Sequence, residues 1–188
     1  MESRVKLAGH PAHPMLIVYP LGLLSTAVVF DVIHLVTGAV RWTEVAFYLV
    51  GAGVVGGLAA AVPGWVDWAA IPRGTRARRV GLLHGVGNVI VLGLFAVSWL
   101  LRRPDPALPP TAAIVVGVLG VVLMSATAWL GGELVERLGV GVDDDANLDA
   151  PSSLTEPPVG AWRPVRDRRD PAPPTYPGVE RRLPDDRP

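Results

Sequence analysis

His13, Asp67, His84, Asn88 and Glu133 each lie inside or at the edge of a long apolar stretch, where an ionisable or amide group is costly and is a functional candidate by default. Neutral imidazoles joined by one or two carboxylates suit Zn, Fe or Mn, and two histidines on different helices can ligate a b-type haem. A His–Asp pair in a low-dielectric setting can instead relay protons, because burial and pairing tune the proton affinity of both groups. A third reading is structural: near a helix end each group can cap, snorkel or pair with a loop arginine. On the cofactor reading, His13, His84, Asp67 and Glu133 are the metal ligands. Asn88, one turn after His84 on the same helix face, is a further cofactor contact.

The elements that must position these groups are four apolar spans, Met15–Val36, Val45–Ala70, Val80–Leu101 and Thr111–Val135. Each is near the ~20 residues needed to cross a ~30 Å hydrocarbon core. Their connections, Thr37–Glu44, Ile71–Arg79 and Arg102–Pro110, are short, so successive helices run antiparallel and an all-α, up-down four-helix membrane bundle is expected. Antiparallel alternation puts the starts of the first and third spans and the ends of the second and fourth on one side. His13, Asp67, His84 and Glu133 therefore converge. The expected organisation is a segment over 1–14, a membrane domain over 15–138 and a disordered, Pro- and charge-rich tail over 139–188.

Half of the residues are hydrophobic and only 18% are charged, below the usual globular share of about a quarter. Cysteine is absent, which excludes disulfides, thiolate metal sites and protein-ligated iron–sulfur clusters. Arg4 and Lys6 precede the first span as in a signal peptide, but the run to Val36 has no small-residue cleavage site and reads as a retained helix. Arg4, Lys6, Arg73, Arg76, Arg78, Arg79 and Arg137 flank one side of the spans, and Arg41, Arg102 and Arg103 the other. By the positive-inside rule both termini are cytoplasmic. A net charge of zero, with basic residues gathered in one loop, gives no sign of nucleic-acid binding.

Gly53 and Gly57, Gly81 and Gly85, and Gly117 and Gly120 are small residues that let helix backbones approach closely in lipid. They serve internal packing or, alternatively, a homo-oligomer face. Pro20 and Pro63 each remove a helix hydrogen bond and predict kinks beside the polar cluster. Asp31 and His34, three residues apart on one face, are expected to pair at the outer interface, and His10 is placed to supplement His13. Trp42, Trp65, Trp68 and Trp99 sit near span ends as interfacial anchors. A weak internal repeat is visible: His13 precedes Gly22-Leu23 at the offsets by which His84 precedes Gly93-Leu94, and Trp65 and Trp129 precede Asp67 and Glu133. It predicts a pseudo-two-fold bundle with one histidine and one carboxylate from each half. In the tail, Pro173-Pro174-Thr175-Tyr176 matches a short PPxY form of the kind that proline-rich segments produce by chance.

The run Gly9-His10-Pro11-Ala12-His13-Pro14-Met15-Leu16-Ile17-Val18-Tyr19-Pro20-Leu21-Gly22-Leu23 resembles the opening signature of the bacterial membrane family called domain of unknown function 2231. Gly64-Trp65-Val66-Asp67-Trp68, His84-Gly85-Val86-Gly87-Asn88 and Trp129-Leu130-Gly131-Gly132-Glu133-Leu134-Val135 resemble its later blocks. The resemblance covers about residues 9 to 142. It implies a four-helix inner-membrane protein without an established activity, in redox company where members are joined to Rieske-type or cytochrome-like modules. The chain departs from the family pattern at Leu138, where a histidine is frequent, so no ligand is assigned there.

The leading expectation is a small redox-associated membrane subunit that binds haem b or a divalent metal through its histidines near the cytoplasmic interface, with a redox protein as partner. The alternatives are a proton- or ion-coupled membrane component and a structural or assembly protein. There is no phosphate-binding glycine loop, no H-E-x-x-H and no nucleophile elbow, so soluble-enzyme chemistry has no support.

Overall fold

The computed structural model describes residues 1–144, 146, 150 and 152–154. It is all-helical apart from a minimal hairpin, β1 (Lys6–Leu7) and β2 (His10–Pro11), paired antiparallel with Lys6 opposite Pro11 and Leu7 opposite His10. Ala8 and Gly9 turn the hairpin with φ of 50° and 81°, the left-handed pair whose twist matches a two-residue loop. Four helical spans follow, each long and apolar enough to cross a membrane.

The first span consists of α1 (Ala12–Leu16) and α2 (Val18–Thr37). Ile17 joins them: its N–H donates to the His13 carbonyl at 3.1 Å and its own carbonyl accepts from Leu21. Pro20 has no N–H to give to Leu16, which places the irregularity at the junction. Gly38, with φ of 70°, ends α2 by donating to the His34 carbonyl at 2.7 Å, the left-handed cap that glycine adopts without steric cost. The remaining helices are α3 (Arg41–Ala70), which continues through Pro63, α4 (Arg76–Arg102) and α5 (Thr111–Gly132), whose last turn widens into a π-turn over Glu133–Arg137. α4 starts a turn earlier than the apolar run suggests. Thr75 caps it, its side chain accepting from the Arg78 N–H at 3.2 Å, and the Arg78 guanidinium bonds back to the Trp68, Ala69 and Ile71 carbonyls that end α3.

The buried positions alternate by threes and fours: Leu24, Ala27 and Asp31 on α2; Thr43, Ala46, Val50, Gly53, Gly57 and Ala60 on α3; Val91, Phe95, Ser98 and Arg102 on α4; Gly117, Gly120, Met124 and Thr127 on α5. This 3.5-residue period keeps one seam of each helix on its neighbours, as in left-handed bundles. Outside the seam, large apolar side chains such as Val36, Val55, Val62 and Val122 are exposed, which suits contact with acyl chains. Lipid is as apolar as leucine, so the seam holds by close packing rather than by escape from water. A Cβ at Gly53 would stand 2.7 Å from Leu24 Cγ, and one at Gly120 would stand 2.7 Å from Phe95 Cε2.

Along the bundle axis the interior is layered. Leu24, Ala27, Ala46, Val50, Val91, Phe95 and Met124 form an apolar middle. One polar layer lies beyond it at the end where α4 finishes. There Arg102 and Asp31, both fully buried, form a two-pronged ion pair, Nη1 to Oδ1 at 2.7 Å and Nη2 to Oδ2 at 2.6 Å. Arg102 Nε also donates to Ser98 Oγ at 3.2 Å, and that hydroxyl donates to the Ala113 carbonyl at 2.7 Å. The expected Asp31–His34 pair is therefore replaced by one that crosses the bundle. Both Asp31 oxygens are taken by the guanidinium fork, and His34 Nδ1 donates instead to the Ala39 carbonyl at 3.2 Å. The second polar layer, at the other end, holds the two histidines.

Candidate functional site

His13 and His84 stand at the same end of the bundle, near the starts of the first and third spans, as antiparallel alternation requires. His13 Nδ1 bonds to the Ala60 carbonyl of α3 and His84 Nδ1 to the Thr127 carbonyl of α5, each at 2.8 Å. A carbonyl oxygen only accepts, so each Nδ1 carries a proton, and a ring in its neutral form keeps its lone pair on Nε2. The ring centres are 6.3 Å apart and the planes are nearly perpendicular, at 88°. Both rings are seated against glycine: a Cβ at Gly64 would lie 2.8 Å from His13 Nδ1, and one at Gly131 would lie 3.1 Å from His84 Cε1.

These contacts give the internal repeat a physical form. In each half a histidine on the first helix bonds to a carbonyl on the second, and four residues beyond that carbonyl a glycine makes room for the ring. The 71-residue step from Asp31 to Arg102 also carries His13 to His84, so both interior polar pairs join equivalent positions. The carboxylates do not follow the repeat. Matching Gly53, Ala60 and Gly64 to Gly120, Thr127 and Gly131 sets Asp67 against Leu134, not Glu133.

The expected four-donor convergence resolves into separate groups. No cluster of three or more His, Asp or Glu able to hold a metal is present among the described residues. Asp67 is occupied by the N-terminal segment: Oδ2 accepts from Ser3 Oγ at 2.7 Å, and Oδ1 accepts from the Arg4 N–H at 2.6 Å and the Val5 N–H at 3.4 Å. Glu133 pairs with Arg76 at 2.6 Å. Asn88 does belong with the histidines. Its amide nitrogen is 3.4 and 3.3 Å from the two ring nitrogens of His84, near-equal distances that set it over the ring face rather than in the ring plane. Asn88 Nδ2 also donates to the His84 carbonyl at 2.9 Å, and Oδ1 accepts from Thr127 Oγ1 at 3.0 Å, which fixes the amide orientation. His10 does not join the pair; its Nε2 is 3.2 Å from Ser153 Oγ.

Around this end the first residues form a strap. The Met1 amino group donates to the Gly139 carbonyl at 3.0 Å, and the Gly141 N–H donates to the Met1 carbonyl at 2.9 Å. Lys6 Nζ bonds Asp143 at 2.6 Å and Glu2 at 2.8 Å. These bonds, Asp143 first and Glu2 second, push the Lys6 pKa up to about 12. Sequence reasoning missed Arg102 and Thr127 as interior groups. The signal was present: His84, Asn88, Val91, Phe95, Ser98 and Arg102 are spaced four, three, four, three and four apart, one continuous face.

The model of a family described as a predicted membrane protein, DUF2231, matches residues 9–144. Comparison with curated proteins and with solved structures finds no match.

Proposed function

The chain belongs to the DUF2231 family of membrane proteins, and from that premise we propose that it is a small redox-associated subunit of the bacterial inner membrane that holds a haem b, or a metal ion, between His13 and His84. The observation that carries this reading is the matched fixing of both Nδ1–H groups on backbone carbonyls at 2.8 Å. Ligating histidines characteristically donate their second ring N–H in this way, which sets the tautomer and the ring orientation. With ring centres 6.3 Å apart, His13 and His84 are near enough that both imidazoles would hold one such group. The donor set fits two-imidazole haem ligation better than a four-ligand divalent site, because Asp67 and Glu133 are spent elsewhere. A haem held there would supply one-electron transfer.

The chain's own contribution is positional. Gly64 and Gly131 admit the rings, the carbonyls of Ala60 and Thr127 hold them, and Asn88 and Thr127 make the His84 side the more polar one. Both termini and the histidine end face the cytoplasm on this reading, supported by Arg73 in the α3–α4 connection and by Arg76, Arg78 and Arg79 in the first turn of α4. A redox protein would meet the site from that side. The apolar layer of Val91, Phe95, Leu24 and Met124 separates the two polar layers, which favours electron transfer over proton passage along the bundle.

The test is the absorption spectrum and metal content of the protein purified in mild detergent, with and without added haemin. A stoichiometric Soret band that disappears in the His13→Ala/His84→Ala variant supports the proposal. A colourless, metal-free protein after supplementation overturns it.

A further inference from the structure

His13 and His84 reach the site by different routes. His84 is built into a continuous 27-residue helix. His13 sits in the five-residue α1, between the Ile17 junction and the N-terminal strap. Among the described residues, two sets of hydrogen bonds tie α1 and the strap to α3. One is the His13 bond to Ala60. The other is Asp67, one turn beyond Gly64 on the same seam, whose two oxygens take the Ser3 hydroxyl and the Arg4 and Val5 N–H groups. Ser3 is 7% exposed, so this is a seated contact rather than a surface one. The strap passes its position on to α1 through a further bond, from the Ala12 N–H to the Val5 carbonyl at 2.8 Å. An unbroken path of hydrogen bonds thus runs from Asp67 through Val5 and Ala12 to the helix that carries His13. Among the described residues no comparable path leads from the strap to His84.

We propose that Asp67 is a positioning residue for His13, and that the histidine pair is complete only while the N-terminal strap is docked on Asp67. Release of the strap withdraws one imidazole and leaves the other in place, which makes the strap a gate on the site. The inference builds on the reading of His13 and His84 as the working pair, but it concerns the chain alone and is tested without cofactor.

The experiment is ethoxycarbonylation of the full-length, cofactor-free protein in detergent by diethyl pyrocarbonate, with each histidine followed by mass spectrometry. The reagent attacks the unprotonated ring nitrogen and so reads Nε2 directly. Hydrogen bonds to a charged carboxylate are among the stronger ones. Losing three of them in Asp67→Ala should raise the His13 rate by about tenfold or more and leave His84 within about twofold. Asp67→Asn, which keeps one acceptor oxygen for the Arg4 and Val5 N–H groups, should fall between, and Ser3→Ala should shift His13 in the same direction by less. An unchanged His13 rate in Asp67→Ala overturns the proposal. So does an equal rise at His84, which would mark general loosening of the bundle. Haem uptake is not read here, so failure of this inference and failure of the ligation proposal are separate results.

Discussion

Arg102→Met takes the donors from both oxygens of Asp31, a side chain with no exposed surface and bonds of 2.7 and 2.6 Å. A carboxylate stranded in this way has no water to turn to, and breaking a buried pair from one side costs about 3–5 kcal/mol. Asp31→Leu strands the guanidinium instead, with only Ser98 Oγ at 3.2 Å and the Ala113 carbonyl at 3.5 Å for company, and belongs in the same range. The double replacement removes both ions together with the desolvation each required, so it should lie within about 1.5 kcal/mol of the parent, or above it. The singles and the double together form a thermodynamic cycle whose coupling term is at least several kcal/mol. Equilibrium unfolding in mixed micelles of mild detergent and SDS would measure it. Thermal melts would show the singles down by about 10 °C, at 2–4 °C per kcal/mol for a domain of this size. Singles within about 1 kcal/mol of the parent, or a double mutant as unstable as the sum of its parts, would refute the reasoning, because either outcome means that water reaches the pair.

Gly64→Ala puts a methyl group 2.8 Å from His13 Nδ1, and Gly131→Ala puts one 3.1 Å from His84 Cε1. Each should dislodge its own ring, with an overpacking cost of about 1–3 kcal/mol, and nitrogen NMR should show loss of the Nδ1-protonated tautomer at that histidine alone. The strap should loosen at alkaline pH through Lys6. Lys6 has its folded pKa raised from 10.5 to about 12, so its stabilisation is fully present below 10.5 and is lost as pH rises through 12. Energy transfer between a dye on the strap and one on α3 should fall above about pH 10, and Lys6→Met should abolish that fall.

The spans, their antiparallel order and the meeting of His13 with His84 were legible because apolar length and connection length leave little freedom in a bilayer. Helix rotation was the harder quantity. Asp31 was read with His34 because three residues bring neighbours onto one face, whereas its partner lies on another helix and is reached only by following the four-three spacing of α4 to Arg102. Asp67 and Glu133 were placed at the correct end of the bundle. What each carboxylate holds depends on a strap and a loop arginine, and neither has a periodicity that would announce its position. The repeat was visible in His13 and His84, but its second helices align through Ala60 with Thr127 and Gly64 with Gly131, small residues that carry little signal in a sequence. Pro173-Pro174-Thr175-Tyr176 and the rest of 155–188 lie outside the described residues.

The equivalence of Asp31 with Arg102 bears on which halves of such a bundle can associate. Two identical two-helix chains, associated about an axis along the bundle, would set every residue on that axis against its own copy. A histidine facing a histidine is compatible with such a dimer, since neutral imidazoles do not repel. An aspartate facing an aspartate, or an arginine facing an arginine, is not, because a dry interior holds two like charges only at great cost. With an acid at one of these equivalent positions and a base at the other, each half has an unlike partner and neither can pair with itself. The ion pair thus acts as a pairing code: were the connection between the halves cut, the freed hairpins would still need each other and not their twins.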